Sequence, residues 1–246
     1  MLALLLGGGI VVPAAGPATR TPVLVELFTS EGCSSCPPAD RLLESLDRVQ
    51  PVPGAEIVVL SEHVDYWDRL GWKDSFSSAA YTSRQQTYGR RLHVESVYTP
   101  QMVIDGRDQV LGSDAQAVKE AVARSAANPK LPVAISGAVR KGRVVQFLLE
   151  VPRLPEGSGF ARADVWVALA GERAESAVSK GENSGRRLTH VAVARRLSTI
   201  GEVTRRQGFR KTLELTAGPG AGRIIAVVQQ IETGPVAGIG VAKFGE

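Results

Sequence analysis

The chain has 246 residues, 43% apolar, 22% charged and 5% aromatic, with 26 Gly, 14 Pro and 2 Cys. Such values fit a folded protein of one or two domains and exclude a disordered, collagen-like or coiled-coil chain, while two cysteines exclude the multi-bridge scaffold of a small secreted module. The net charge of +4 is uneven, with 12 basic and 15 acidic side chains in residues 1–130 against 17 and 10 in residues 131–246, which predicts two domains with different surfaces.

Leu2 to Val12 is an apolar run interrupted at Gly7-Gly8-Gly9; Pro13 and small residues follow, and the first charge comes at Arg20. This is the shape of a signal peptide or leader over residues 1–20, although no basic residue precedes the run. It is shorter than the roughly 20 apolar residues of a spanning helix. The expectation is a secreted or periplasmic protein without stable membrane insertion.

Pro22 to Phe28 reads as a buried strand, broken by Thr29-Ser30-Glu31-Gly32 just before Cys33-Ser34-Ser35-Cys36-Pro37-Pro38. Leu42, Leu43, Leu46 and Val49 then make one apolar helical stripe over Ala39 to Val49. A second strand, Ile57 to Leu60, ends in His63-Val64-Asp65-Tyr66-Trp67, and a polar, aromatic insert has its main helix from Phe76 to Leu92. An extended segment from Val97 to Ile104 enters through Thr99-Pro100 and turns back at Asp105-Gly106, a hairpin signal. Ser113 is a good N-cap for a helix from Ala115 to Ala127, and Asn128 to Pro132 reads as a domain boundary.

Beyond it the period is that of strands: Val133–Val139, Val144–Val151, Ala163–Leu169, Leu188–Arg196, Lys211–Leu215, Ile224–Gln230 and Val236–Phe244. Seven strands with turn signals between them predict a sandwich-like all-β domain over 131–246, after an α/β domain over 21–130. The paired arginines here have few aromatics between them to stack bases, so nucleic acid is not an expected partner. The loop from Gly181 to Arg186 lacks the strand-to-helix setting and the Lys of a nucleotide site.

Both cysteines lie in one Cys-x-x-Cys. A four-residue loop yields only about 2 kcal/mol as a structural bridge, and a structural zinc site needs four ligands where only His63, His93 and His190 remain to help. Redox chemistry is therefore favoured over a metal site or an inert pair, and no metal is assigned. Pro37 and Pro38 lack N–H donors, which suits the first turn of a helix beginning near Cys36. Cys33 is then expected on the exposed turn as the nucleophile, with Cys36 shielded and resolving. Glu26, an acid in an apolar strand, is a candidate proton acceptor for Cys36. In a β-α-β unit the parallel strands finish on one edge, which places His63 and Asp65 near the cysteines. Tyr66, Trp67 and Trp72 are candidates to line a substrate groove, and His190 has no assignable role.

The segment from Glu26 to Asp40, His63 to Asp68 with Leu70-Gly71-Trp72-Lys73-Asp74, and Tyr98-Thr99-Pro100-Gln101 resemble an uncharacterised family of secreted bacterial proteins with a thioredoxin-like domain. Gly181-Glu182-Asn183 and Leu188-Thr189-His190 extend the resemblance into the second half, where this chain has Ala192 in place of the family's Asn. The resemblance implies a thioredoxin-like fold for residues 21–130, a cis Pro100 beside the cysteines, and a Thr99 backbone able to pair with a bound peptide. It implies an exported thiol–disulfide oxidoreductase acting on protein or small-molecule thiols and disulfides, with an unidentified electron donor or acceptor and no cofactor. The uncharged Ser34-Ser35 pair and Glu31 favour a reducing role. A periplasmic soft-metal (copper) carrier using the same cysteines and a non-catalytic adaptor are the alternatives.

Overall fold

The structure, a computed structural model, describes residues 20–245, so the leader expected over residues 1–20 lies outside the described residues except for Arg20. The first half runs β1 (Thr21–Thr29), α1 (Pro37–Val49), β2 (Ala55–His63), a 3-10 turn at Asp68–Leu70, α2 (Ala79–Arg91), β3 (Gln101–Ile104), β4 (Asp108–Leu111) and α3 (Ala115–Ala126). The second half is β5 (Leu131–Pro132), β6 (Ala134–Lys141), β7 (Val144–Val151), β8 (Arg162–Ala177), β9 (Arg187–Thr204), β10 (Phe209–Thr216), β11 (Ala221–Gln230) and β12 (Val236–Lys243). The fold is mixed α/β and mostly strand.

One sheet runs through both halves in the order β4-β3-β1-β2-β9-β8-β11-β12-β5, and a second has the order β10-β7-β6. β1 and β2 are parallel, β3 pairs antiparallel to β1, and the halves meet where β2 and β9 pair in parallel at Ser61 and Val193. Strand alternation sorts β1 cleanly. Val23, Val25 and Leu27 pack against Ala39, Leu43 and Leu46 of α1 and against α3, whereas Leu24, Glu26 and Phe28 face the opposite side. On that side Tyr81 of α2 shares a core with Leu24, Val58 and Leu60 of the first half and Trp166, Ile225 and Val227 of the second. The small sheet covers the other face of β8 and β11 through Phe147, Leu149, Val165, Val167 and Ile224. The junction expected at 128–132 is tied down by Lys130, whose ammonium lies 2.7 Å from the buried Asp105 carboxylate.

Local differences from the expected elements have simple causes. Asp114, not Ser113, caps α3, because its carboxylate accepts the N–H groups of both Gln116 and Ala117. Ser78 caps α2 and starts it after Phe76, its hydroxyl accepting the Ala80 N–H. β8 and β9 extend over 16 and 18 residues, well past their expected lengths, because they pair with each other from Arg162–Thr204 to Ala177–Arg187. The Asp105-Gly106 turn forms as expected, with positive φ at both residues and the Arg107 N–H donating to the Ile104 carbonyl.

Candidate redox site at the start of helix α1

Pro37 opens α1, and Cys36 is its N-cap. The missing proline N–H groups leave no gap in the ladder, while the N–H groups of Ala39 and Asp40 both donate to the Cys36 carbonyl. Cys33 and Cys36 form a disulfide with their Cα atoms 5.4 Å apart. The pair therefore sits at the amino end of a 13-residue helix, where the helix dipole favours a thiolate.

Two loops close on this turn. The Thr99–Pro100 bond is cis, and the Thr99 carbonyl lies 3.5 Å from the Ser35 hydroxyl, which is itself 3.4 Å from Cys33 Sγ. Gly112 lets the following hairpin pack here: a Cβ on it would meet Leu27, Pro100 and Ala39 at 3.1–3.2 Å. From the second half, the connection between β8 and β9, residues 178–186, folds over the turn. The Asn183 side-chain amide donates to the carbonyls of Glu31 and Cys33, both at 2.9 Å, and Glu182 accepts the Ser34 N–H at 3.0 Å. Gly181, with φ of +75°, packs against Trp72, where a Cβ would lie 3.3 Å from the indole's own Cβ.

Cys33, expected to be exposed, has no accessible surface, and neither has Cys36; only Ser34 and Ser35 between them reach solvent. The turn is held from two sides, by the wholly buried Asn183, whose amide donates to its carbonyls, and by the Thr99 carbonyl beside Ser35. Cys33 Sγ has one polar neighbour, the Ser35 hydroxyl at 3.4 Å.

Glu26 does not face Cys36. It projects from β1 to the side opposite α1, where Arg84 donates to Oε1 at 2.7 Å and Tyr88 to Oε2 at 2.5 Å. Alternation along the strand decides this: Val25 and Leu27 take the face toward α1. Asp65 also turns away, accepting the Thr82 hydroxyl of α2 at 2.6 Å. Tyr66 bonds Gln85 of the same helix, and burial raises its phenol above the ordinary range. Trp67 and Trp72 do reach the site, as braces: Trp67 donates to Thr99 Oγ1 at 2.9 Å, and Trp72 donates to Glu31 Oε2 at 2.7 Å.

Beside the disulfide lies a buried polar cluster. His63 Nδ1 is 2.7 Å from Asp74 Oδ2, which also accepts the Glu31 N–H, and the His63 ring meets His190 edge to face with centroids 4.6 Å apart. His190, left without a role by its position in a strand, is 1% exposed and faces Glu31 and Asp40. Two residues on, Ala192 has φ of +48°, the left-handed region that Asn tolerates better than Ala. Among the described residues no three His, Cys, Asp or Glu side chains are arranged to hold a metal ion.

Burial opposes a charge on His63, but the neighbouring Asp74 carboxylate outweighs it and raises the imidazole above 6.5. Burial likewise works against the Asp74 anion, yet His63 and two backbone N–H groups hold it below 3.8. The raised His contributes fully below 6.5 and loses its contribution as pH rises through its folded value; the depressed Asp contributes above 3.8 and loses it as pH falls through its folded value. Asp74→Asn is therefore expected to cost about 2 kcal/mol at pH 5 and clearly less at pH 9, read by urea unfolding at the two pH values. An equal cost at both would show that the pair is not ionised.

Residues 24–229 match the family model described as a protein of unknown function, DUF1223. A structural-genomics protein from Agrobacterium tumefaciens is 30% identical, with a TM-score of 0.70 over 94% of this chain and 97% of that one. HBP35 of Porphyromonas gingivalis shares the fold at 13% identity, with a TM-score of 0.58 over 93% of this chain and 77% of its own. No curated protein matches. A family match that spans the sheet of both halves, the disulfide and the loop above it means that the chain belongs to the DUF1223 family.

Proposed function

We propose that the protein is an exported thiol–disulfide oxidoreductase whose Cys33/Cys36 pair cycles between disulfide and dithiol, reducing disulfides in proteins or small molecules. The observation that carries this reading is the disulfide at the start of α1 with the cis Thr99–Pro100 loop beside it. Strand order β3-β1-β2, with α1 and α3 on one face and α2 on the other, supports reading residues 21–130 as a thioredoxin-like unit and residues 131–246 as its sandwich-like companion. Export rests on the apolar leader of residues 1–20.

The Cys33 thiolate attacks a substrate disulfide, releasing one substrate sulfur as a thiolate and forming a mixed disulfide. Cys36, as a thiolate, then attacks Cys33 Sγ; the second substrate sulfur leaves, and two electrons have passed from the protein to the substrate. Each leaving thiolate takes a proton from solvent or a neighbouring acid. A dithiol donor reverses the steps to restore the protein's thiols, and no organic cofactor is needed. The reducing direction is favoured by the uncharged Ser34-Ser35 pair, which adds no charge to stabilise a thiolate. Both sulfurs are covered at rest, so exchange needs the turn to open, and we read the lifting of residues 178–186, which are bonded to its backbone, as that step.

Insulin reduction with dithiothreitol as donor tests the activity, and single Ser variants test the roles. Cys36→Ser is expected to trap substrate through Cys33 as a mixed disulfide that survives non-reducing electrophoresis, whereas Cys33→Ser traps none. Trapping through Cys36 would reverse the assignment, and no insulin reduction by the wild type would remove it.

A further inference from the structure

The fold places His190, from the second half, against the redox turn. It lies on β9, paired across from Ala174 of β8, and is 1% exposed. Its Nε2 is 3.7 Å from Glu31 Oε1, and its Nδ1 is 3.5 Å from Asp40 Oδ1. Neither ring nitrogen has a hydrogen-bond partner, and Glu31 Oε1 has none either. A neutral imidazole carries one N–H and one acceptor lone pair, which would face one carboxylate with repulsion; only imidazolium presents an N–H on both nitrogens.

The two carboxylates flank the cysteines. Glu31 lies two residues before Cys33, and Asp40 stands in the first turn of α1, its N–H donating to the Cys36 carbonyl. The other groups around the cluster are largely committed. Glu31 Oε2 accepts from Trp72, Asp40 Oδ1 accepts from Thr29, and Arg195 stacks over Phe76 with its guanidinium carbon 4.4 Å from the ring centroid; His63, whose ring lies 4.6 Å from that of His190, is paired with Asp74 and shares the field of Glu31 and Asp40 from the first half. His190 is thus the group placed to offset Glu31 and Asp40 from the second half. In a buried setting such a charge acts at an effective dielectric far below that of water.

We propose that His190 is a positioning residue of the redox site: its imidazolium neutralises Glu31 and Asp40, and so sets how readily the reduced cysteine pair carries a thiolate. The inference rests on the proposed redox cycle and assigns a chemical duty in it to the second half of the chain. Without the imidazolium, two carboxylates beside the helix start oppose the thiolate, and the dithiol loses the stabilisation that favours it over the disulfide.

The test uses the chain without its leader in glutathione buffers, where the protein disulfide and two glutathione thiols exchange for the protein dithiol and one glutathione disulfide. His190→Gln is expected to move this equilibrium at least tenfold toward the protein disulfide, about 30 mV for a two-electron couple, and to shift the pH profile of iodoacetamide alkylation upward. Glu31→Gln, which leaves one carboxylate for His190 and keeps an acceptor for Trp72, is expected to shift both readouts the opposite way and serves if the His190 variant fails to fold. Adding Glu31→Gln to His190→Gln is expected to restore most of the wild-type equilibrium, which a merely structural role would not allow. Wild-type cycling with both single variants unchanged overturns the inference alone. A wild-type disulfide that no concentration of glutathione or dithiothreitol reduces in the folded protein overturns the redox cycle and this inference with it.

Discussion

Replacing Arg84 by methionine is expected to destabilise the protein by about 3–5 kcal/mol at neutral pH, the cost of stranding a buried charge. Arg84 of α2 donates to Glu26 Oε1 at 2.7 Å, to the Tyr88 hydroxyl at 3.0 Å and to Gln229 Oε1 of β11 at 2.9 Å, and its guanidinium carbon lies 4.5 Å from the centroid of the Trp166 ring. It also stands 3.5 Å from Glu62, whose two oxygens have no hydrogen-bond partner. Glu26 and Glu62 are wholly buried, so the guanidinium is the charge that offsets them there and the link by which α2 joins β1, β2 and β11. Burial opposes its charge, but Glu26, Tyr88 and Glu62 hold it well above the ordinary arginine value. Glu62, in turn, is pushed well above the usual carboxylate range by burial and then by the Glu26 charge.

The sign of the pH dependence follows. An acid whose folded value is raised lowers stability progressively as pH climbs above its unfolded value, about 4.3 for Glu. The loss in the Arg84 variant should therefore be smaller at pH 4.5, where the raised Glu62 is protonated, than at pH 7.5. Urea unfolding at the two pH values reads the difference, and a loss independent of pH would show that the carboxylates are not the cause. Glu62→Gln in the wild-type background should act in reverse, gaining stability relative to wild type as pH rises.

Asn183→Ala is expected to speed reduction of the Cys33–Cys36 disulfide by about thirtyfold. The side-chain amide makes two 2.9 Å hydrogen bonds to the carbonyls of Glu31 and Cys33 and accepts one from Arg186, all without solvent access for Asn183 itself. Losing them leaves the buried Glu31 carbonyl unpaired, while the Cys33 carbonyl keeps the Cys36 N–H, and this costs the closed state about 2 kcal/mol. When the loop lifts, water satisfies the same groups, so the open state loses little. Local openings of this kind set the access of a reagent to a covered bond, and about 1.4 kcal/mol corresponds to a factor of ten. Thiol release under excess dithiothreitol, followed with a chromogenic disulfide after quenching, measures the rate. An unchanged rate would mean that residues 178–186 are not the barrier. Glu182→Gln is the control: its carboxylate, lowered by the Ser34 hydrogen bond, is fully exposed and should matter little.

The strand–turn–helix around the cysteines was readable because it is local. Apolar runs define β1 and α1, two prolines mark the first turn, and the cysteine spacing closes the disulfide without long-range help. The Asp105-Gly106 hairpin and the strand character of the second half followed from the same short-range rules. Glu26 was misassigned because its spacing from Cys36 says nothing about face, whereas alternation between Val25 and Leu27 turns it toward α2. Asp65 was grouped with His63 by the ends of parallel strands, but the chain turns between them and sends only His63 toward the cluster.

A Cys-x-x-Cys at the start of a helix, next to a Thr-Pro entry to a strand, is written in the local sequence, since propensity, proline chemistry and hydrophobic period act within about ten residues. The covering of the sulfurs, and the presence of Asn183 and His190 around the turn, come from long-range pairing. Those residues lie some 150 positions along the chain from the cysteines, and they arrive through the pairing of β2 with β9. Backbone hydrogen bonds between strands form wherever edges meet and carry little record of which edges will meet, so that contact had no local signature to read.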